Sequence, residues 1–391
     1  MSTPSPMARR ITAVRAHALN VPNRIEAAGK VRETDLSVVI CEIETDDGLI
    51  GHGFTAITEE QTVATAIREV AAPALLGADP LTREALWDRL CWLMAPRGQT
   101  GYAMHAIAAV DIALWDLAGK ILGLPVWKLL GGARDRVPLY ATCGFGFLDR
   151  DDLATTARDW VEAGFTRLKM TVAGEALRRR DATPLEEVIA EDVARVAAVR
   201  EAVGPGPRLY VDANCNLDPV HALRLAQRLV PLDVDFFEEP IQRNDIGAMA
   251  DMRARCPLPL AAGQNEGQSF RFRDLLAGRA VDVLQPNVTI GGGFTQAARV
   301  AGMAEAFAVP IANGGGWPFH NAHLHAGLAN GGLVEWHVPA VAVCRMLFTD
   351  LPEPEAGTLA LTDRPGLGFD LNHDAIAELA NRPSAAGHGK G

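Results

Sequence analysis

Tyr210-Val211-Asp212-Ala213-Asn214, Phe236-Phe237-Glu238-Glu239-Pro240 and Ala261-Ala262-Gly263-Gln264-Asn265 share one plan: a short apolar run that ends in an oxygen-bearing side chain. Asp212, Glu238 and Gln264 stand 26 residues apart each time. That interval holds one strand, one helix and their connections, so the three side chains fall at the ends of three consecutive parallel strands. Working outward at the same rhythm, strand-like runs occur at Val137–Thr142, Arg167–Val172, Arg208–Asn214, Val234–Pro240, Pro259–Asn265, Val281–Asn287, Val309–Gly314 and Leu333–His337, with amphipathic stretches between them. Eight strands over about 200 residues is the count for a closed α/β barrel, whose catalytic residues come from the C-terminal ends of different strands. A doubly wound open sheet is the structural alternative.

Residues 1–133 read as a separate α+β unit. Runs at Ile11–Leu19 and Asp35–Thr45 meet the turn Asp46-Asp47-Gly48 and lead to Gly51-His52-Gly53, which predicts an antiparallel meander. Helical periodicity follows from about Glu59 to Leu122, with Ile107, Val110, Leu114, Leu117 and Ile121 on one face. The barrel is expected over 134–353. The segment 354–391, with strand and turn signals at Gly357–Thr362 and Pro365-Gly366-Leu367-Gly368, is expected to return onto the N-terminal unit. The first eight residues and Pro383–Gly391 read as loose ends.

The chain has 391 residues, 48% hydrophobic and 22% charged, with a net charge of −11, so a globular protein acting on a small molecule is expected and a nucleic-acid partner is not. Six scattered cysteines, without zinc-finger spacing, read as reduced thiols. No apolar run reaches membrane-spanning length, and Met1–Asn20 lacks an apolar signal core, so the expected location is the cytoplasm.

Oxygens converging from neighbouring strand ends suit a hard cation such as Mg²⁺. A single strand-end acid is more often a helix cap or an ion-pair partner. Three at one period favour the metal.

The phrase Ala108-Ala109-Val110-Asp111-Ile112-Ala113-Leu114-Trp115-Asp116-Leu117-Ala118-Gly119-Lys120, followed by Leu129-Leu130-Gly131-Gly132, resembles the enolase superfamily, in its mandelate racemase/muconate lactonizing branch. So do Asp212-Ala213-Asn214, Glu238-Glu239-Pro240 and Pro365-Gly366-Leu367-Gly368. The resemblance implies a (β/α)₇β barrel with a capping domain completed by the C-terminal segment. It implies Mg²⁺ at Asp212, Glu238 and the position of Gln264, removal of a proton α to a carboxylate through an enediolate, and a homo-oligomer.

Several positions depart from that pattern. The second barrel strand ends Lys169-Met170-Thr171, with threonine where the family places a second lysine, commonly the base. Lys169 is then either the remaining base, which requires its pKa to fall from about 10.4 toward roughly 7–8, or an electrostatic partner of the substrate. Asn287 and Gly314 stand where relatives with a histidine base carry its Asp–His dyad. After them comes Asn313-Gly314-Gly315-Gly316-Trp317-Pro318-Phe319-His320-Asn321-Ala322-His323-Leu324-His325, from which His320 is the acid/base candidate, while His323 and His325 read as packing residues. Gln264 replaces a carboxylate, Glu266 could supply the missing charge from the loop, and Glu239 is a further candidate. Glu335 matches a family carboxyl that hydrogen-bonds the substrate when protonated. Asn214, Asn287 and Trp317 are candidate substrate contacts, and Thr171 offers a hydroxyl.

The leading expectation is a Mg²⁺-dependent dehydratase acting on a hydroxy-acid such as an acid sugar. Elimination needs fewer acid/base groups than racemisation, which is the alternative along with cycloisomerisation. A glycosidase is disfavoured by the 6% aromatic content, and a catalytically silent barrel is the remaining reading.

Overall fold

The meander forms as expected in the computed structural model, which describes residues 9–380 and 382. The terminal stretches expected to be loose otherwise lie outside those residues. Strands β1 (Ile11–Ala27), β2 (Lys30–Thr45) and β3 (Ile50–Ala56) pair antiparallel in that order. Residues 20–34 extend β1 and β2 well beyond their apolar runs into a hairpin closed by Ala28 and Gly29, both left-handed, as a two-residue turn between right-twisted strands requires. Its tip reaches the barrel, where Lys30 pairs with Asp149 at 2.7 Å and also with Asp152.

The helical stretch is broken into α1 (Glu60–Ala66), a π-helical turn (Ile67–Ala71), α2 (Ala72–Leu75), α3 (Arg83–Gly98) and α4 (Tyr102–Leu122), followed by α5 (Val126–Leu129). Helix α4 lies directly on β3: a Cβ on Gly53 would fall 1.8 Å from the Ala109 carbonyl oxygen. That contact, not ligand binding, explains Gly51-His52-Gly53. From α4, Asp111 accepts from Thr295 N at 3.0 Å and Thr295 Oγ1 at 2.6 Å. Asp116 accepts from His52 N at 2.9 Å and Leu367 N at 2.8 Å. The phrase that carried the family resemblance is thus largely a domain-joining device.

The barrel strands are β4 (Arg136–Gly144), β5 (Arg167–Thr171), β6 (Arg208–Asp212), β7 (Val234–Glu238), β8 (Leu260–Ala262), β9 (Val283–Leu284) and β10 (Val334–His337). Between them lie α6 (Arg150–Glu162), α7 (Leu185–Val203), α8 (Pro219–Leu229), α9 (Ile246–Arg253), α10 (Ser269–Ala277), α11 (Gly293–Ala306) and α12 (Pro318–Gly327). The expected seventh strand is reduced to a bridge between Ile311 and Leu284, and Asn313 N donates to Leu333 O. Parallel pairing of β10 with β4 closes the ring, so the architecture is a (β/α)₇β barrel. Tyr140, Tyr210 and Phe236 plug its interior, with the last two stacked at 4.2 Å.

After α13 (Val338–Leu347), the chain adds β11 (Phe348–Thr349), β12 (Pro354–Glu355), β13 (Thr358–Ala360), β14 (Asp370–Leu371) and α14 (His373–Ala380). Strand β13 pairs antiparallel with β4, so part of the tail joins the barrel, while the Gly366 turn docks on Asp116 and α14 on β1.

Candidate active site

Strands β5, β6, β7 and β10 end together, and their register makes Asp212 the partner of both Thr171 and Glu238. Lys169, 2% exposed, lies at the centre of the acids these strands carry. Its Nζ is 2.8 Å from Glu238 Oε2, 3.2 Å from Asp212 Oδ2 and 2.9 Å from Glu335 Oε1. Burial alone would lower the Lys169 pKa, but Glu238, Glu335 and Asp212 carry it well above its ordinary value. Lys169 is therefore a fixed cation in this state, and the lowered pKa expected of a base is absent.

Glu335 is an acceptor. Burial pushes its pKa up, yet the Lys169 ammonium and its hydrogen bonds take it below the usual value. Thr142 Oγ1 donates to Oε1 at 2.5 Å and Gly316 N to Oε2 at 2.7 Å, so the protonated donor expected from the family resemblance is not seen. Burial and neighbouring Asp212 push Glu238 well above the usual carboxylate range. Three carboxylates around one ammonium would leave two negative charges uncompensated if all were ionised, and that crowding is what raises Glu238.

Among the described residues, Glu238 Oε1 and Gln264 Oε1 have no partner there. A Cβ on Gly314 would lie 3.0 Å from each, so both face one spot beneath the glycine loop. Among the described residues no three His, Cys, Asp or Glu side chains are arranged to hold an ion. The oxygen beside Glu238 Oε1 at that spot belongs to the Gln264 amide. Its Nε2 donates to Glu239 Oε2 at 2.8 Å. Glu266 is engaged elsewhere, paired with Arg271 through both oxygens at 2.8 and 3.0 Å.

The remaining candidates divide. Thr171 Oγ1 donates to Gly144 O at 3.2 Å. Asn287 Nδ2 donates to Gly314 O at 2.7 Å, which fixes the glycine loop. Asn214 is exposed on a left-handed turn with its backbone N–H bound to Asp212 Oδ1. Trp317 is fully buried and packs 4.9 Å from Phe54. His320 lies away from the acids, stacked on Phe54 at 4.9 Å and edge-on to Phe348 and Phe369. It lies in the first turn of α12, all of whose residues are buried, and among the described residues both its ring nitrogens lack partners.

Two polar residues at the cluster were missed. Gln285, fully buried, has an amide without partners whose Nε2 is 2.9 Å from the same Gly314 position. His337 ends β10 two residues after Glu335, on the same face and only partly buried. Its Nδ1 accepts from Ala340 N at 3.3 Å. Burial lowers its pKa, with Glu335 opposing. The two-residue alternation from Glu335 was the signal available for it.

Residues 10–131 match the family described as mandelate racemase/muconate lactonizing enzyme, N-terminal domain, and residues 152–375 match the one described as enolase C-terminal domain-like. The chain belongs to the mandelate racemase/muconate lactonizing enzyme family. Within this family it is 30% identical to an arabinonate dehydratase of Saccharolobus solfataricus, covering 88% of this chain and 91% of the relative. It is 32% identical to a 3,6-anhydro-alpha-L-galactonate cycloisomerase of Streptomyces coelicolor, covering 93% and 97%. A crystal structure of L-talarate dehydratase from Polaromonas, complexed with Mg and L-glucarate, superposes with a TM-score of 0.82 at 32% identity, covering 95% and 97%. Among the described residues no helix is long and apolar enough to cross a membrane.

Proposed function

We propose that this chain is a Mg²⁺-dependent dehydratase of acid-sugar carboxylates. The observation that carries the reading is the Lys169 cluster, three carboxyl groups around one ammonium, with the unpartnered Glu238 Oε1 and Gln264 Oε1 aimed at one spot. A divalent oxygen-seeking cation fits that charge and that donor set, and Asp212, Glu238 and Gln264 would hold it. When bound, Mg²⁺ supplies the positive charge that makes a proton next to a carboxylate removable. The arabinonate dehydratase relative and the L-glucarate-bound talarate dehydratase support the substrate class.

The chain's own residues then divide the remaining work. Lys169 Nζ, kept protonated by its three carboxylates, orients the substrate carboxylate. Glu335, anchored by Gly316 N and Thr142 Oγ1, keeps Lys169 in place. His337 is the proton-transfer group. It ends β10 beside the cluster, and its lowered pKa leaves it neutral near pH 7. Elimination takes one proton from the α-carbon and returns one to the departing β-hydroxyl as water forms, so a single imidazole can serve both halves.

Incubating the Mg²⁺-loaded protein with aldonic and aldaric acids in D₂O should give a 2-oxo-3-deoxy acid carrying deuterium at C3, read by NMR. His337→Asn should lower kcat by about 10²-fold or more with little change in KM. Absence of both turnover and α-proton exchange across the series would refute the reading. The cycloisomerase relative favours one second reading, ring opening of an anhydro acid or lactone, which the same series tests. A homo-oligomer in the cytoplasm belongs to the same proposal. Exposed Trp92, Leu93 and Tyr102, on adjoining α3 and α4, support the assembly, and light scattering tests it.

A further inference from the structure

The amide of Gln264 has two chemically different ends, and a cation can use only one of them. Which end faces the cluster is set by Glu239, 1% exposed on the other side. Glu239 Oε1 accepts from Asn244 Nδ2 at 2.7 Å and Asn265 Nδ2 at 2.8 Å, and its Oε2 from Gln264 Nε2 at 2.8 Å and Asn265 Nδ2 at 3.0 Å. Every amide contact is an N–H donor and the Cys215 thiol is a further donor, so both oxygens act as acceptors. Facing an acceptor-only group, Gln264 must present its NH₂ to Glu239 and its Oε1 to the opposite side. That Oε1 is the unpartnered atom beside Glu238 Oε1 beneath Gly314. The ring is held in a bent backbone: Glu239 has φ 39° and Asn244 φ 45°, both left-handed, so its geometry is stabilised by the surrounding fold and not by local preference.

We propose that Glu239 is a positioning residue: its carboxylate locks the Gln264 amide with the oxygen toward the cation, so that an amide serves where the family pattern has a carboxylate. The proposal rests on reading the cluster as a divalent-cation site. Hydrogen-bond polarity makes it testable by exchanging the two groups. In Glu239→Gln, the new amide keeps an oxygen toward Asn244 and Asn265 and turns its NH₂ to residue 264. Gln264 must answer with its oxygen, which turns its own NH₂ to the cation. In Glu239→Gln combined with Gln264→Glu, the NH₂ of residue 239 donates to one carboxylate oxygen and the other stays free for the cation.

Mg²⁺ affinity is measured by calorimetry on the wild type and both variants, and the Gln264 deuterons are located by neutron diffraction on cation-free wild-type crystals. Expected are NH₂ deuterons toward Glu239, a Mg²⁺ affinity at least tenfold weaker in Glu239→Gln, and recovery to wild type or better in the exchanged pair. Unchanged affinity in Glu239→Gln, no recovery in the pair, or deuterons on the cation side overturns the proposal while the wild type still binds. A wild type that binds no Mg²⁺ overturns the cation reading itself, and this role for Glu239 with it.

Discussion

Thr171 removes a positive charge where the family pattern has a lysine, and Gln264 removes a negative one where it has a carboxylate. The two losses cancel, so the balance around Lys169 is the same as with both groups present. Restoring only one partner should therefore be costly. In chelator-treated protein, Gln264→Glu should lose about 2–4 kcal/mol of stability by adding an unpaired buried charge, and adding Thr171→Lys should recover most of it. Urea unfolding of the three proteins decides this, and equal losses in single and double variants would refute the coupling. Asp212, Glu238, Gln264, Lys169 and Glu335 were legible in the sequence because strand ends recur at a fixed interval and the family motifs sit on them. His337 was hidden by its neighbour: Glu335 absorbed the reading of that strand end. His320 was misplaced because three glycines before it conceal the loop's path, which turns the helix start toward the cap instead of the barrel mouth.

Helix α4 shows how a motif can be legible while its role is not. Periodicity revealed the helix, yet Asp111 and Asp116 act through contacts 184 and 251 residues away. Asp111 meets the first turn of α11, whose N-cap residue is Gly292. Burial pushes its pKa up to about 7, opposed by the Thr295 hydrogen bonds. A folded-state value above the ordinary 3.8 means that its stabilisation is complete below that pH and is lost as pH rises through about 7. Asp111→Asn keeps an acceptor for Thr295 and removes the charge. Its stability relative to wild type should therefore improve steadily from pH 4 to 8, by as much as about 4 kcal/mol, in denaturant titrations. A flat difference would show that Asp111 does not titrate in the folded protein. Gly53→Ala, on the strand beneath, should cost about 3 kcal/mol or more, because its Cβ meets Ala109 backbone that cannot withdraw, and its melting temperature reports this.

Across the whole molecule, cap, barrel and tail meet over buried His320 and His323, while His105 is buried against Thr55 within the cap and His325 against Gly332 within the barrel. Burial lowers His105 and His323 to about 4 and His325 to about 3, and takes His320 well below its ordinary 6.5. Their folded values lie under the unfolded one, so the stability tied to neutrality is complete above about pH 6.5 and is lost as pH falls toward 4. Acid should thus loosen the junction of the domains. His320 tests this most directly. Its ring lies among Phe54 of β3, Phe348 of β11 and Phe369 of the tail, and neither nitrogen has a partner. Replacing an unsatisfied buried polar ring by an apolar one of similar shape is neutral or stabilising. His320→Phe should therefore move the acid-unfolding midpoint, followed by circular dichroism, to lower pH while leaving turnover unchanged. A folded His320→Phe protein without activity would return His320 to the chemistry and displace His337 from it. An unshifted midpoint would show that acid opens the molecule elsewhere.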